Sequence, residues 1–350
     1  MRQHRLEFTE PGRVEVKIGQ APQPAADQVL VQTYCSAVSP GTEMLVYRGQ
    51  WPPGVSVDST IAALEGTFAY PLAYGYCAVG RVVAKGATVS ADWLGRRVFA
   101  FHPHQNLFCA KPDTLHPVPD DLDNETALFL PSMETAVNLL LDGSPLIGEN
   151  IVVIGQGIIG LLTTALLARF PLTTLATLDA HPLRRKASIA LGAGESFAPE
   201  DADSFSWLGG VPGQGGVADL VYELSGNPSA LNTALSLTRF NGRVVVGSWY
   251  GAKKAELDLG SFFHRGRISL ISSQVSSLAP ELTGRWQNRR RLDLAWEMLR
   301  QVRPSGCITH RFGLKDAALA YALIDHRPGE TIQVIFDYQS TEELSDKTRR

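Results

Sequence analysis

A run of apolar residues that leads directly into a glycine pattern constrains this chain more than any other feature. Residues 151–154 read Ile-Val-Val-Ile, and residues 155–160 read Gly-Gln-Gly-Ile-Ile-Gly, with a long apolar stretch of helical type behind them. The β-branched run predicts a buried parallel strand. Strand, glycine-rich turn and helix in this order predict a site for the phosphates of a dinucleotide. The alternative is an ordinary strand–turn–helix unit without a ligand.

Each glycine of the pattern has a separate predicted role. Gly155 permits the tight turn, Gly157 lets a pyrophosphate approach the backbone, and Gly160 lets the helix pack closely on the strand. The helix N-terminus then offers unpaired N–H groups and the positive end of a dipole. The residues predicted to bind the cofactor here are Gly155, Gln156, Gly157, Ile158, Ile159 and Gly160.

An acidic residue after the next strand bears on which dinucleotide binds. Asp179 lies 19 residues beyond Gly160, at the expected carboxyl end of the strand 173–179. A carboxylate there accepts hydrogen bonds from the ribose hydroxyls of NAD and repels the 2′-phosphate of NADP. Arg184 is a further predicted cofactor residue, because it and Arg185 could instead receive that phosphate, or both could be solvated helix residues. The sequence favours NAD over NADP.

Composition excludes several classes of protein. The net charge of −3 gives no field that would attract nucleic acid or a membrane surface. No apolar run approaches the ~20 residues that span a bilayer, and the N-terminus lacks the apolar core of a signal peptide. The four cysteines form no C-x-x-C pair. We therefore expect a cytoplasmic protein that acts on a small molecule.

The order of patterns along the chain predicts an α/β protein with two domains. Residues 1–125 carry short strand-like runs broken by Gly and Pro, and from residue 126 strands and helices alternate, which implies a parallel sheet. We assign residues 1–125 and 290–340 to a β-rich domain, 126–289 to the dinucleotide domain and 341–350 to a loose tail. An inserted nucleotide domain would place an active cleft between the two.

Ligands bind at the carboxyl ends of the strands in such a sheet. Small residues at these ends would let the ribose and nicotinamide ring approach the backbone. The residues predicted to do so are Ser225, Gly226, Gly247, Ser248, Ser272 and Ser273.

Five local stretches carry a resemblance to a known family. They are 39–43, Ser-Pro-Gly-Thr-Glu; 75–82, Gly-Tyr-Cys-Ala-Val-Gly-Arg-Val; 98–104; 247–251; and 272–275. With the domain order, they resemble the medium-chain dehydrogenase/reductase superfamily, in particular the branch that contains bacteriochlorophyllide hydroxyethyl dehydrogenase. The resemblance implies a GroES-like β domain with an inserted Rossmann domain, and a homodimer formed through an edge strand, for which residues 268–275 are the candidate.

The chain departs from the zinc-containing members of that superfamily. Those members bind catalytic zinc through a Cys, the His of a G-H-E stretch and a third Cys or acidic residue, whereas here Ser39 or Pro40, Tyr76 and 130–131, Leu-Pro, stand at these places. Ser and Tyr are poor ligands for zinc, so we predict no metal. Cys77, His102 and His104 could form another metal site, but packing roles for all three are the preferred interpretation.

Without zinc, a protein group must handle the proton that accompanies hydride transfer. By the resemblance, Thr42 corresponds to a hydroxyl that relays protons, Glu43 to the acidic residue beside it, and Tyr76 to the lost histidine ligand. These three are the predicted catalytic residues. Alternatively, Tyr76 is only a wall of the pocket and Glu43 only a structural partner.

These features together predict an NAD(H)-dependent, zinc-independent oxidoreductase for a secondary alcohol or ketone, with a bulky ring substrate as one option. An NADPH-dependent quinone or enoyl reductase is the alternative within enzymes, and a non-catalytic nucleotide-binding protein is the alternative outside them. Four arginines around Trp286, at 285 and 289–291, either capture an anion or form a solvated approach to a helix.

Overall fold

The computed structural model of the chain describes residues 2–57, 61–201 and 216–338. The strands in these ranges are β1 (Arg2–Glu10), β2 (Arg13–Gln20), β3 (Val29–Ala37), β4 (Ala78–Lys85), β5 (Arg97–Ala100), β6 (Leu107–Ala110), β7 (Leu115–Pro117), β8 (Asn150–Ile154), β9 (Thr174–Leu178), β10 (Glu195–Phe197), β11 (Ala218–Glu223), β12 (Thr238–Val246), β13 (Ser269–Ser272), β14 (Ile308–Gly313) and β15 (Gln333–Asp337). The helices are α1 (Thr42–Tyr47), α2 (Asn124–Ala127), α3 (Leu130–Gly143), α4 (Ile158–Leu167), α5 (Pro182–Ala190), α6 (Ala230–Leu237), α7 (Phe262–Arg265), α8 (Asn288–Val302) and α9 (Ala317–His326).

The chain divides into two compact units. Unit 1 comprises Met1–Pro131 and Arg303–Arg350, and unit 2 comprises Ser132–Val302. Helix α8 lies in unit 2, so the chain returns to unit 1 at Arg303, whereas the sequence analysis placed this return at residue 290. The tail predicted at 341–350 lies outside the described residues.

Unit 2 is built on a six-stranded parallel sheet. Its strand order is β10-β9-β8-β11-β12-β13. If β8 is numbered 1, the order is 3-2-1-4-5-6, as in the doubly wound dinucleotide fold. In that fold, strands 2 and 3 are added on one side of the first strand and strands 4 to 6 on the other. The prediction of a parallel, doubly wound sheet is therefore confirmed, and β13 stands last in the order at one side.

Both faces of β8, in the middle of this sheet, are buried, which explains why this strand is continuously apolar. Successive side chains of a strand point to opposite faces. Val152 and Ile154 accordingly pack in a cluster with α6 residues on one face, while Ile151 and Val153 pack with Leu139 of α3 on the other. A parallel strand covered on both sides has no solvated face to alternate with.

Unit 1 contains the β-rich part of the chain. Its seven-stranded sheet has the order β14-β15-β3-β4-β5-β7, with β6 pairing β3. The β1–β2 hairpin forms a separate two-stranded antiparallel sheet. One apolar core joins the hairpin, α1, α9 and β15, and a second lies within the sheet between β3, β4, β5 and β6. Of the helices described, none is long and apolar enough to cross a membrane.

Candidate functional site

The turn after β8 has a backbone geometry that requires glycine at its first and last positions, 155 and 160. Gly155 has φ +90°, and a Cβ added there would lie 2.5 Å from the Cα and N of Ser225. A Cβ on Gly160 would lie 1.8 Å from the carbonyl oxygen of Gly155. Any larger residue at either position would therefore force the turn away from α4 or from the segment after β11.

Gly157 differs from these two because nothing crowds it. It is the N-cap of α4, no side chain caps the helix there, and a Cβ would meet nothing within 4 Å. A side chain at this position would project into open space at the positive end of the helix. The bare backbone is what an approaching pyrophosphate needs. The cradle thus fits a dinucleotide.

Gln156, between these glycines, is turned inward. Its side chain is fully buried, with Oε1 accepting from Thr164 Oγ1 at 3.1 Å and Nε2 donating to Val153 O at 3.3 Å. Its backbone N–H donates to Asp179 Oδ2 at 2.7 Å. The residue holds the turn in shape, and its side chain is not available to a ligand.

Asp179 follows β9 immediately and joins the turn to the next element. Its Oδ2 accepts from Gln156 N, its Oδ1 accepts from His181 N at 2.8 Å, and the residue is 7% exposed. Arg184 Nη1 lies 4.0 Å from Oδ2, and burial lowers the pKa of that guanidinium. Arg185 binds the carbonyl oxygens of 179 and 180. A carboxylate oxygen can accept a second hydrogen bond, so these contacts leave acceptor capacity for a ribose.

A buried carboxylate that the sequence analysis did not single out organises the carboxyl ends of β11 and β12. Glu223 is 0% exposed, and its Oε1 accepts from Ser225 N at 2.8 Å while its Oε2 accepts from Tyr250 Oη at 2.5 Å. Ser248 Oγ accepts from Gly226 N at 2.9 Å. The structure thus brings Ser225, Gly226 and Ser248 together. A charged residue inside an apolar strand was the signal for Glu223.

The remaining small residues of this edge have different environments. A Cβ on Gly247 would lie 2.6 Å from Leu139 and Leu224, so this glycine is required by packing. Ser272 is exposed. Ser273 donates to Asp142 Oδ2 at 2.6 Å and is therefore held by α3.

Arg291 is the exception in the arginine cluster. It is 3% exposed, and its guanidinium contacts Glu134 Oε1 at 3.1 Å, Asn138 Oδ1 at 2.6 Å and the carbonyl oxygen of Val275 at 2.5 Å. The interpretation of the whole cluster as solvated is wrong for this residue, because α3 and the segment after β13 enclose it. Burial raises the pKa of Glu134, and Arg291 lowers it.

The three predicted catalytic residues lie close together in unit 1. Ser39 Oγ hydrogen bonds with the phenol of Tyr76, and Thr42 is a second hydrogen-bond partner of that phenol. Ser39 N donates to Glu43 Oε1 at 2.7 Å. Burial, the largest cause, raises the pKa of Tyr76 well above its ordinary value, while the hydrogen bonds with Ser39 and Thr42 lower it. Tyr76 remains partly exposed.

Glu43 faces away from solvent. It is 0% exposed, and its Oε2 accepts from Tyr321 Oη and lies 3.0 Å from His104 Nε2. A carboxylate only accepts, so Nε2 donates to Glu43, while Nδ1 hydrogen bonds with Ser36 Oγ at 2.7 Å. Ser36 in turn hydrogen bonds with Tyr338 at 2.8 Å. Three members of this cluster, Ser36, Tyr321 and Tyr338, escaped the sequence analysis, which named His104 without its partner Glu43.

The comparisons with known proteins bear on both units. Residues 159–291 match the family model described as zinc-binding dehydrogenase. A dehydrogenase from E. coli CFT073 in complex with NADH superposes with a TM-score of 0.76 at 17% identity, over 96% of this chain and 99% of that one. Residues 159–291 are thus similar to zinc-binding dehydrogenases, and the chain shares the fold of a solved dehydrogenase over most of its length. The predicted fold, a GroES-like β domain with an inserted Rossmann domain, is confirmed.

Other dehydrogenases are similar to this chain over different lengths. A putative zinc-binding dehydrogenase from Sinorhizobium meliloti bound to NADP has a TM-score of 0.74 at 17% identity, over 96% of this chain and 99% of that one. An uncharacterised zinc-type alcohol dehydrogenase-like protein of E. coli K12 is 26% identical over 71% of this chain and 68% of its own. Sorbitol dehydrogenase of Bacillus subtilis is 26% identical over 39% of this chain, which spans only 38% of that enzyme.

Hydroxyl side chains stand where zinc-type dehydrogenases place metal ligands. Ser39 and Tyr76, which stand there, are hydrogen bonded to each other. Within the described ranges, no group of three or more His, Cys, Asp or Glu residues could hold a metal ion. Zinc takes thiolate, imidazole and carboxylate ligands, so the side chains at these positions do not fit it.

The alternative metal ligands have other partners. His102 stacks on Phe108 at 4.0 Å between ring centroids, and its Nδ1 lies 3.0 Å from Gln105 Nε2. His104 pairs with Glu43, and its ring lies 2.7 Å from where a Cβ on Gly75 would be. Burial raises the pKa of the Cys77 thiol well above its ordinary value. The contacts of the two histidines agree with the packing interpretation.

Proposed function

We propose that the chain is a zinc-independent oxidoreductase that transfers hydride between NAD(H) and a secondary alcohol or ketone. The observation that carries the proposal is that one chain combines an open glycine turn suited to a dinucleotide with hydroxyl side chains where zinc-type dehydrogenases place metal ligands. Unit 2 keeps the open Gly157 at the start of α4. Unit 1 has Ser39 and Tyr76, hydrogen bonded to each other, where zinc-type members place ligands.

The residues that would hold the cofactor lie in unit 2. The backbone from Gly155 to Gly160 would receive the pyrophosphate at the start of α4, and Asp179 would accept from the adenosine ribose, with Arg184 beside it. We assign Ser225, Gly226, Ser248 and Ser272 to the same bound molecule. Superfamily members bind NADH or NADP, and the buried carboxylate of Asp179 favours NADH because it would repel a 2′-phosphate.

When bound, nicotinamide would supply the hydride that reduces a ketone. Tyr76 would donate the proton to the substrate oxygen, because its raised pKa keeps the phenol neutral and able to donate, and solvent would then reprotonate the phenolate. Ser39 and Thr42 orient that hydroxyl. Glu43 does not exchange a proton with substrate in this proposal, since it is fully buried among Ser39, His104 and Tyr321. It is a positioning residue that fixes the backbone at Ser39.

The finer assignments follow from the sequence and stay proposals. We propose a homodimer formed through β13, a cytoplasmic location consistent with four free cysteines, and a small-molecule substrate, with no nucleic acid or membrane partner. The closer resemblance, to the branch of bacteriochlorophyllide hydroxyethyl dehydrogenase, is the reason to include bulky cyclic alcohols and ketones among the substrates to be tested. Sorbitol and other polyols belong there because a similar protein is named for sorbitol.

The first experiment measures cofactor choice and metal dependence. Quenching of protein fluorescence during titration with NADH and with NADPH should give a dissociation constant at least about tenfold lower for NADH, equivalent to ~1.4 kcal/mol. Turnover should survive dialysis against a chelator. A preference for NADPH would favour the quinone or enoyl reductase, and activity that is lost with chelation and restored by zinc would refute zinc independence.

The second experiment tests the phenol. Tyr76→Phe should lower kcat by about 10²–10⁴-fold, the usual contribution of a general acid, with the dissociation constant for NADH unchanged. Tyr70→Phe is the matched control, because that phenol donates to the carbonyl oxygen of Val46, outside the cluster. Equal turnover in Tyr76→Phe and wild type would remove the assigned role. Tight NADH binding without turnover on any alcohol or ketone tested would favour the non-catalytic protein.

A further inference from the structure

A surface cavity of about 430 Å³, open to solvent, is lined by residues of unit 2, away from the glycine turn. It is bounded by α3, the carboxyl end of α4, the segment 282–286 and α8. Helix α4 begins at Ile158, whereas the cavity contacts Leu166 near its other end, about 12 Å further along at 1.5 Å per residue. The cavity is therefore separate from the cofactor cradle.

The wall of the cavity is apolar and held in place. Leu141 of α3, Leu294 and Met298 of α8 and the indole of Trp286 all line the cavity. The guanidinium of Arg290 stacks on that indole at 4.2 Å and also donates to the carbonyl oxygen of Arg285 at 2.6 Å. A cation stacked on an aromatic ring restrains it, so the cavity does not depend on a ligand for its shape.

The charged side chains that line the cavity have one sign. Arg169 and Arg285 both line it, and none of its lining residues is acidic. Arg169 binds the carbonyl oxygens of Ala165 and Gln301, which anchor its guanidinium without neutralising the charge. Arg285 is exposed and forms no ion pair with an acidic residue of the described ranges. An anionic group at this position would face two cations.

We propose that this cavity is a second ligand site, which takes a small amphipathic carboxylate. The hydrocarbon body would fill the apolar cavity, whose volume is typical of small-molecule sites, and the carboxylate would bind Arg285, whose planar guanidinium matches it. The apolar lining thus corresponds to the hydrocarbon body of the ligand, and the arginines correspond to its carboxylate. The site is independent of the proposed hydride transfer.

Octanoate is the probe, titrated into the full chain by isothermal calorimetry with and without saturating NADH. We expect saturable binding that NADH does not displace, and much weaker binding of octylammonium, which has the same chain and the opposite charge. Arg285→Gln should weaken octanoate binding by about tenfold or more, the loss expected for a hydrogen bond to a charged group. The control Arg289→Gln should change it by less than about twofold, because that arginine pairs with Asp293 instead of lining the cavity.

A second variant fills the cavity. Leu294→Trp should abolish octanoate binding and leave NADH binding intact, which also shows that the variant is folded. The proposal fails if the wild type does not bind octanoate, as would happen if another copy of the chain covers the cavity. It also fails if NADH displaces octanoate, or if Arg285→Gln and Leu294→Trp both bind octanoate like the wild type.

Discussion

Glu43 illustrates how a residue can be central to a site without contacting a substrate. Its carboxylate is fully buried, and three donors reach it, from Ser39, His104 and Tyr321. Burying a charge is costly unless hydrogen bonds compensate it. Each donor here comes from a different segment of unit 1, so the carboxylate fixes these segments relative to Ser39, the partner of Tyr76.

His102 gives unit 1 a measurable dependence on pH. Burial lowers the pKa of its imidazole from 6.5 to about 4, so the folded state keeps the ring neutral where the unfolded chain takes up a proton. The contribution of His102 to the free energy of unfolding is therefore fully present above pH 6.5 and is lost as the pH falls toward 4. The loss should be up to about 3 kcal/mol, reduced by the partial exposure of the ring. Urea unfolding of the full chain, measured between pH 7 and 4, gives this loss of unfolding free energy.

Two variants isolate the contribution of His102. His102→Gln keeps an acceptor for Gln105 but has no titrating ring, so its unfolding free energy should fall less across the same pH range. His326→Gln, whose imidazole is 74% exposed, should follow the wild type. A His102→Gln curve parallel to that of the wild type would show that another group causes the acid loss.

The sequence predicts residues with backbone requirements better than residues that act through partners. Gly155 and Gly160 stand in a local pattern with a known spacing, and the structure gives both the crowding that only glycine tolerates. His104 and Tyr321 reach Glu43 across 61 and 278 positions of the chain. No local pattern reports such distances, so the side chains that bury Glu43 appear only once the sheet and α9 are assembled.

Between elements, Arg291 makes the corresponding connection in unit 2. It lies on α8, and its guanidinium binds Glu134 and Asn138 of α3 together with the carbonyl oxygen of Val275, just beyond β13. Asn138 also donates to Asp142, the partner of Ser273. One side chain therefore ties two helices to the segment that carries a predicted cofactor residue.

Arg291→Lys should loosen this connection. Lysine keeps the charge but cannot present the planar fork that reaches three acceptors at once. We expect a local destabilisation on the order of 2 kcal/mol, seen as faster amide hydrogen exchange in α8 and α3. Arg289→Lys is the control, since the Arg289 side chain is 85% exposed and pairs with Asp293 on the same helix. Equal exchange in the two variants would show that the Arg291 contacts contribute little.

Element types were easier to predict than element boundaries. The apolar run 151–154, predicted as a buried strand, falls inside β8, which is covered on both faces. The sequence analysis ended the dinucleotide domain at residue 289, whereas α8 runs from Asn288 to Val302 within unit 2. The first turn of α8 is rich in arginine, a composition typical of a solvated segment. The sequence pattern could not show that Arg291 is buried between α8, α3 and the segment after β13.

At the scale of the whole molecule, the edge position of β13 bears on the oligomeric state of the protein. It stands last in the strand order and pairs with β12. Leu270 on this strand is 38% exposed, with Ser269 and Ser272 also exposed. An edge strand with unpaired backbone groups is a template for another strand. A two-fold axis beside β13 would join two sheets into one and bury Leu270, since a dimer of this kind uses the same patch on both chains.

Leu270→Arg should therefore separate the proposed dimer. Two arginines would meet across the axis, where like charges close together are destabilising. Light scattering coupled to gel filtration should give the mass of two chains for the wild type and of one chain for the variant at micromolar concentration. Leu319→Arg, at a 65% exposed position of α9 in unit 1, should keep the wild-type mass. A monomeric wild type would refute the dimer, and a dimeric Leu270→Arg would place its interface elsewhere than β13.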